Sequence, residues 1–223
     1  MKIKGDFENK ISLVTGSSKG IGREVAKEFA LNGARVIINY PDDSERKNAK
    51  NAVSEILSLG GEAIAIQADV SNESEVKHLI KFIIDKYKLI DILVNNAGIA
   101  PGMTLENSSA DDFDKIFNIN VKGVFLVTKL VLPYMYEKNY GKIINTASQH
   151  AISGWPGLTL YTASKGAIIS FTNFITLTWN SSGPGPLEEF KLFIALYTSS
   201  IFIKSNQINQ KSKFILLTHN TAI

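Results

Sequence analysis

Ile11-Ser12-Leu13-Val14-Thr15-Gly16-Ser17-Ser18-Lys19-Gly20-Ile21-Gly22 decides how the rest of the chain is read. Its first five residues are a β-rich run, and residues 20–32 carry Ile21, Val25, Phe29 and Ala30 at helical spacing. Between them lies a turn spaced by Gly16, Gly20 and Gly22. Glycine there permits a tight reversal and lets a pyrophosphate approach the helix amides closely, which makes this stretch a candidate phosphate cradle. The same residues would also serve a strand-to-helix turn that uses glycine for backbone geometry alone. The residues downstream of Gly22 decide between the two.

The pattern repeats. Residues 36–39 read as a second strand, 44–59 as a helix closed by Gly60-Gly61, and 63–68 as a third strand. Residues 71–87 are helical, opened by a Ser71 cap with glutamates in the first turn, and 91–95 form a fourth strand. A longer helical region spans about 110–138, where Pro133 is expected to kink or interrupt it, and 142–146 is a fifth strand. Strands separated by helices of this length imply an α/β fold: a doubly wound parallel sheet with helices on both faces, Rossmann-like. The alternation stops near Trp179, and Ser181-Ser182-Gly183-Pro184-Gly185-Pro186 is a turn-forming break. The expected organisation is one domain over residues 1–180 and an atypical tail over 181–223, with β-rich runs around 192–203 and 214–218.

With 223 residues, 44% of them hydrophobic, the chain has enough apolar material for one core and no need of a second. It lacks cysteine, which excludes disulfides and thiolate metal sites and favours a reducing, cytoplasmic setting. The formal charge of +3 is spread without runs of one sign, so neither nucleic acid nor an acidic membrane surface is indicated, and a small-molecule partner is expected. Residues 1–10 mix charges and do not read as a secretory signal, so the mature protein is expected to begin here. The uncharged late segment 192–203 is well short of the roughly 20 residues a membrane-spanning helix needs. His78, His150 and His219 are far apart, without ligand spacing, and no metal site is expected.

Further along, Tyr161-Thr162-Ala163-Ser164-Lys165 places a phenol and an ammonium on one face at the start of a helix. A lysine beside a tyrosine favours the phenolate, bringing an acid of ordinary pKa about 10 nearer to working range. The crevice of a doubly wound sheet lies at the carboxyl ends of its strands, where the glycine loop, Asp69-Val70, Asn95-Asn96-Ala97-Gly98 and Ser148 all fall.

Taken together, the loop at 15–22, Asp69, Asn95 to Gly98, Asn120, Ser148, Tyr161 and Lys165 resemble the short-chain dehydrogenases and reductases, with the 3-oxoacyl-acyl-carrier-protein reductases closest in appearance. The likeness covers about residues 7–178. It implies that Tyr161 is the general acid for a carbonyl oxygen, or the base in the reverse direction, and that Lys165 lowers its pKa and holds the nicotinamide ribose. It gives Ser148 the role of polarising the substrate oxygen, against the alternative of a hydroxyl capping the turn after the fifth strand. Asn120 would bend the helix and hold a water that relays protons to Lys165, or else be a buried polar helix residue. Gly16, Ser18, Lys19, Gly20, Ile21 and Gly22 would cradle the cofactor's phosphates. Asn96, Ala97 and Gly98 would line the adenosine ribose and support the central strand, and Asp69 with Val70 would touch the adenine, unless all five are mainly architectural.

Cofactor choice turns on the end of the second strand. An acid there would pair with a free ribose 2′-hydroxyl, but Asn39 and Tyr40 stand in its place, and the resemblance puts Lys19 near a 2′-phosphate. NADP is therefore expected, with NAD possible. Asp42 and Asp43 lie about 20 residues beyond Gly22, where an acid is often found, and are read instead as caps for the second helix.

After Lys165 the expected sixth strand and Pro-Gly turn are not recognisable, and Pro184-Gly185 comes too early to leave room for a full helix and that strand. A truncated or misread product would account for this, and the edge of the fifth strand would be left open. The resemblance implies a homo-oligomer, here a dimer before a tetramer. Three functions are compatible with these features: reduction of a ketone or 3-oxoacyl substrate, a catalytically impaired member that binds nucleotide or a partner without turnover, and an unrelated phosphate-binding module. The apolar segment 149–160, with Trp155 and Pro156, would border the substrate without naming it.

Overall fold

The computed structural model describes residues 7–182, 190–198 and 215–218, with side chains over 7–173. Elements alternate from the start: β1 (Ile11–Val14), α1 (Gly20–Leu31), β2 (Arg35–Tyr40), α2 (Arg46–Ser58), β3 (Glu62–Gln67), α3 (Glu73–Tyr87) and β4 (Ile92–Asn95). Then come α4 (Ala110–Phe117), α5 (Gly123–Glu137), β5 (Gly141–Thr146), α6 (His150–Ser153), α7 (Thr159–Ser182), β6 (Phe190–Thr198) and β7 (Ile215–Thr218). The described strands form one sheet of order β3-β2-β1-β4-β5-β6-β7, every pair parallel. β1 lies between β2 and β4, so the chain reverses direction across the sheet there, which opens a crevice at the strands' carboxyl ends.

Alternate strand residues feed two cores. Leu13, Ile37, Leu93 and Ile143 pack with Val76, Leu79 and Ile83 of α3 and with Leu126, Val127, Val131 and Met135 of α5. On the other face Val14, Val36, Ile38, Ile92 and Val94 meet Ala26 and Ala30 of α1 and Ala49, Ala52 and Ile56 of α2. Strands covered on both faces read as continuous apolar runs, and each fully buried Leu or Ile contributes roughly 1.5–3 kcal/mol. The helical run Ala110–Glu137 is, among the described residues, long and apolar enough to cross a membrane by length and composition, but its apolar side is packed in the first of these cores.

Several local expectations change. In α1 the buried stripe is Gly22, Ala26 and Ala30, while Ile21, Val25 and Phe29 stay half-buried, because small residues let the helix sit close to the sheet beneath the glycine loop. The cap of α3 is Asn72, which accepts from the amides of Ser74 and Glu75 at 3.0 and 3.3 Å; Ser71 instead donates to Asp69. Asp42 caps a 3₁₀ turn, Asp43–Glu45, one turn ahead of α2. α5 runs through Pro133 uninterrupted, and the break lies upstream in a π turn, Asn118–Lys122, between α4 and α5.

The tail also differs from expectation. α7 runs for 24 residues, and β6 comes after it and pairs with β5 from Gly141↔Phe190 to Thr146↔Ala195, so there is room for both a full helix and a sixth strand. β7 extends the same sheet, Ala195↔Ile215 to Thr198↔Thr218. The fifth strand therefore has a partner on its outer edge. Pro184-Gly185 lies outside the described residues.

Candidate active site

The loop after β1 is held by its neighbours. The Thr15 hydroxyl accepts from the amides of Asn96 and Ala97, both at 3.0 Å, and the Asn96 amide group donates to the carbonyls of Thr15 and Gly16 at 2.9 and 3.0 Å. From the other side Asn39 accepts from the Gly16 amide at 3.2 Å and donates to the Ala68 carbonyl at 2.9 Å. Asn39 and Asn96 thus brace β1 against β3 and β4, and Ser17 donates back to Val14 at 2.7 Å. Gly16 and Gly20 both have φ +59°, the left-handed region open to glycine. A Cβ on Gly16 would lie 2.7 Å from the Ala97 Cα, and one on Gly22 would overlap the Asn96 side chain.

α1 begins without a side-chain cap and without an acid in its first turn, unlike α3 and α4, which have Asn72 and Ser109 caps and acidic first turns. Its first amides are left for an anion, which the macrodipole favours. The uncapped helix start, the left-handed glycines and the close-packed Gly22 fit the pyrophosphate of a dinucleotide.

Across the crevice, the Lys165 ammonium is buried, with the residue 4% exposed, and donates to the Thr146 carbonyl at 2.7 Å. Burial pushes its pKa down to about 8. It lies 5.9 Å from the centre of the Tyr161 ring. Asn120 is fully buried in the π turn, where it accepts from the Ile99 amide at 2.8 Å and donates to the Ile99 carbonyl at 2.9 Å and to Ser164 at 3.0 Å. Ser164 in turn donates to the Tyr161 carbonyl at 2.7 Å. Asn120 therefore ties the segment after β4 to the first turn of α7. A Cβ on Gly98 would meet the Asn120 Oδ1 at 3.2 Å and the Lys165 Nζ at 3.5 Å, so Gly98 opens the space around both.

Ser148 lies just past β5, buried, with its hydroxyl accepting from the His150 amide at 3.2 Å. The capping contact is thus present, and the hydroxyl's own proton still has the option of a substrate oxygen. Beyond it, Met103 and Leu158 form a bridge that closes one side of an open cleft of about 440 Å³ lined also by Gly102, Thr104, Trp155 and Pro156. Trp155 is 61% exposed and faces the His150 ring at 5.0 Å.

Around the ends of β2 and β3, some residues expected to touch the adenosine are architectural. Val70 is buried and fills the space against Gly123, whose Cβ would come within 2.7 Å of it. The Asp69 carboxylate accepts from the Ser71 amide and hydroxyl at 2.9 and 2.8 Å. Tyr40 is buried in the core beside α1 and α2, so it withholds an acid from the strand end without lining the crevice. Sequence reasoning missed Glu45, which accepts from the Ser18 hydroxyl at 2.9 Å and from Lys19 at 2.5 Å. An acid within a few residues of the strand's end was the available signal; the count from Gly22 pointed to Asp42 and Asp43. It also passed over Ser164, between Tyr161 and Lys165, and gave Thr15 no role beyond its place in the glycine loop.

The short chain dehydrogenase family model matches residues 10–183. A 3-oxoacyl-acyl-carrier-protein reductase of Synechocystis sp. is 40% identical over 183 residues, covering 79% of this chain and 73% of that protein. An uncharacterized oxidoreductase of Thermotoga maritima is 39% identical over 178 residues, covering 80% and 69%. Among solved structures, an NAD+-bound xylitol dehydrogenase superposes with a TM-score of 0.78 at 31% identity, covering 86% of this chain and 70% of its own. A short chain dehydrogenase of Burkholderia cenocepacia in complex with NADP gives a TM-score of 0.76 at 32% identity, covering 87% and 76%. With its parallel sheet, glycine loop and Tyr161–Lys165 helix, the chain belongs to the short-chain dehydrogenase family of NAD(P)-dependent oxidoreductases.

Proposed function

We propose that this protein is an NADP-dependent reductase of a carbonyl compound, a 3-oxoacyl thioester being the favoured substrate, with Asn120, Ser148, Tyr161 and Lys165 as its working set. The observation that carries this reading is the buried Lys165 ammonium, anchored on the Thr146 carbonyl and placed 5.9 Å from the Tyr161 ring. A cation held in a dry setting acts strongly on a neighbouring phenol, because little water screens it. Tyr161 gives its proton to the carbonyl oxygen as the alcohol forms, and takes one from the alcohol in the reverse direction. Ser148 donates to the same oxygen and polarises it. Asn120 positions rather than reacts, by fixing the segment after β4 and the start of α7. When bound, the nicotinamide supplies or accepts the hydride.

The cleft beside Trp155 and Met103 suits an apolar chain attached to the reacting carbonyl, in keeping with the Synechocystis relative, a 3-oxoacyl reductase by name. Asn39 and Tyr40 in place of an acid support NADP, and Lys19 supplies the positive charge a 2′-phosphate calls for. Two copies associating through the helical run of α4 and α5, where Phe113 and Phe125 are exposed, together with α7, are the favoured assembly.

Titration with NADPH and NADH, and then addition of a short 3-oxoacyl thioester while cofactor oxidation is monitored, tests the proposal. Turnover by the wild type that falls about 10²–10⁴-fold in Tyr161→Phe, with cofactor affinity unchanged, is the expected result. Carbonyl reduction unaffected by Tyr161→Phe would refute it. Binding without turnover would mark a nucleotide-binding member instead.

A further inference from the structure

The turn after β2 carries an anion that belongs to the protein itself. The Glu45 carboxylate accepts from Lys19 at 2.5 Å through one oxygen, and from Ser18 and Asn48 at 2.9 Å each through the other. Its side chain is only 15% exposed, whereas that of Lys19 is 70% exposed. Lys19 and the hydrogen bonds from Asn48 and Ser18 hold its pKa down to about 2, so it is charged at any working pH. Two of the three donors come from the glycine loop, and the third from α2. In a doubly wound sheet the adenosine ribose lies beside the end of the second strand, next to that loop.

We propose that the Glu45 carboxylate is an internal stand-in for the 2′-phosphate of NADP, occupying the Ser18 and Lys19 donors, so that NADPH binds only by displacing it. This rests on the cofactor reading above and deepens it by naming the residue that sets the NADPH-to-NADH ratio. A 2′-phosphate carries between one and two negative charges and needs the same hydroxyl and ammonium. With Glu45 in place it meets a carboxylate instead, and like charges at contact distance repel. NADH has a hydroxyl at that position and needs no exchange, since a carboxylate can accept from it. The neighbouring Arg46 is itself engaged, paired with Asp43 at 2.5 Å. A purely structural Lys19–Glu45 pair, being exposed on the lysine side, would act weakly on stability and not on the choice of nucleotide.

Glu45→Gln keeps the size and an acceptor for Ser18 while removing the charge. It is expected to tighten NADPH about tenfold, the scale of one charge-assisted contact released, and to leave NADH within about threefold. The gain should vanish when Lys19→Ala is added, since the freed donor is then gone. An NADPH-to-NADH affinity ratio unmoved by Glu45→Gln, or moved toward NADH, would overturn the proposal. If the wild type binds neither nucleotide, the cofactor reading itself fails, which is a different result from an unmoved ratio. Should Glu45→Gln not fold, Glu45→Ser decides by the same ratio: a shift of about tenfold toward NADPH supports the exchange, and an unchanged ratio overturns it.

Discussion

Replacing Lys165 by methionine removes a buried charge while keeping the length of the side chain. Burial lowers its pKa from 10.5 to about 8, which corresponds to roughly 3 kcal/mol of cost for carrying the proton in the folded state. Below pH 8 both the folded and the unfolded chain hold that proton, and the native state bears the whole cost. Between about pH 8 and 10.5 the unfolded lysine keeps its proton and the folded one has lost it, so wild-type stability rises with pH. Methionine does not titrate. Against the relief stands the Thr146 carbonyl, which loses its 2.7 Å donor at about 1–3 kcal/mol. Lys165→Met is therefore expected to be between equal to and about 2 kcal/mol more stable than wild type at pH 7. That advantage should shrink by about 2 kcal/mol by pH 9.5, while carbonyl reduction is lost. Urea unfolding of both proteins at the two pH values measures this, and other titrating groups cancel in the difference. A difference flat to within about 0.5 kcal/mol across that window would show that burial does not penalise the ammonium, and would refute the reasoning.

Two more substitutions separate the phosphate loop from the substrate cleft. Gly22→Ala drives a Cβ into the Asn96 side chain and to 2.7 Å from the Gly16 carbonyl, so urea unfolding should record a loss of about 2–4 kcal/mol, together with weaker NADPH binding; a change below about 0.5 kcal/mol would refute the packing account. Trp155→Ala, at a position 61% exposed, should leave stability within about 0.5 kcal/mol and raise KM for an apolar carbonyl substrate about tenfold. An unchanged KM would remove this cleft from substrate binding.

The fold was legible because the central strands are covered on both faces, which turns residues 36–38 and 92–94 into short continuous apolar runs, and 11–14 into one broken by Ser12 alone. Helix faces were less legible. Helical spacing singled out Ile21, Val25, Phe29 and Ala30 in α1, but of these only Ala30 is fully buried, because close approach to the glycine loop demands small residues, Gly22 and Ala26 with it. Helix breaks were misplaced for a similar reason: proline is a visible signal, whereas the π turn around Asn120 depends on contacts to Ile99 and Ser164, 21 and 44 residues away. The tail's room for a helix and a strand was judged from a Pro-Gly landmark, while the pairing of β6 with β5 depends on register across the sheet. Within the candidate site, Asn120, Ser148, Tyr161 and Lys165 could be named as candidates from their order and spacing. Glu45 could not, because its significance comes from a 3₁₀ turn that folds it back onto Ser18 and Lys19.

The placement of β1 between β2 and β4 also fixes an order of events during synthesis. Ser12 pairs with Ile92, farther along the chain than any other strand pairing among the described residues, while β1 finds β2 and β2 finds β3 within about 30 residues. At about 5–20 residues per second, the inner edge of β1 waits roughly 4–16 s for its partner to be made. Its neighbours on the other side can assemble meanwhile. The cofactor crevice is therefore the late seam of the nascent protein, and a lesion such as loss of the Thr15 tie to Asn96 would be felt as slow maturation and capture by chaperones before any rate constant of the finished enzyme is measured.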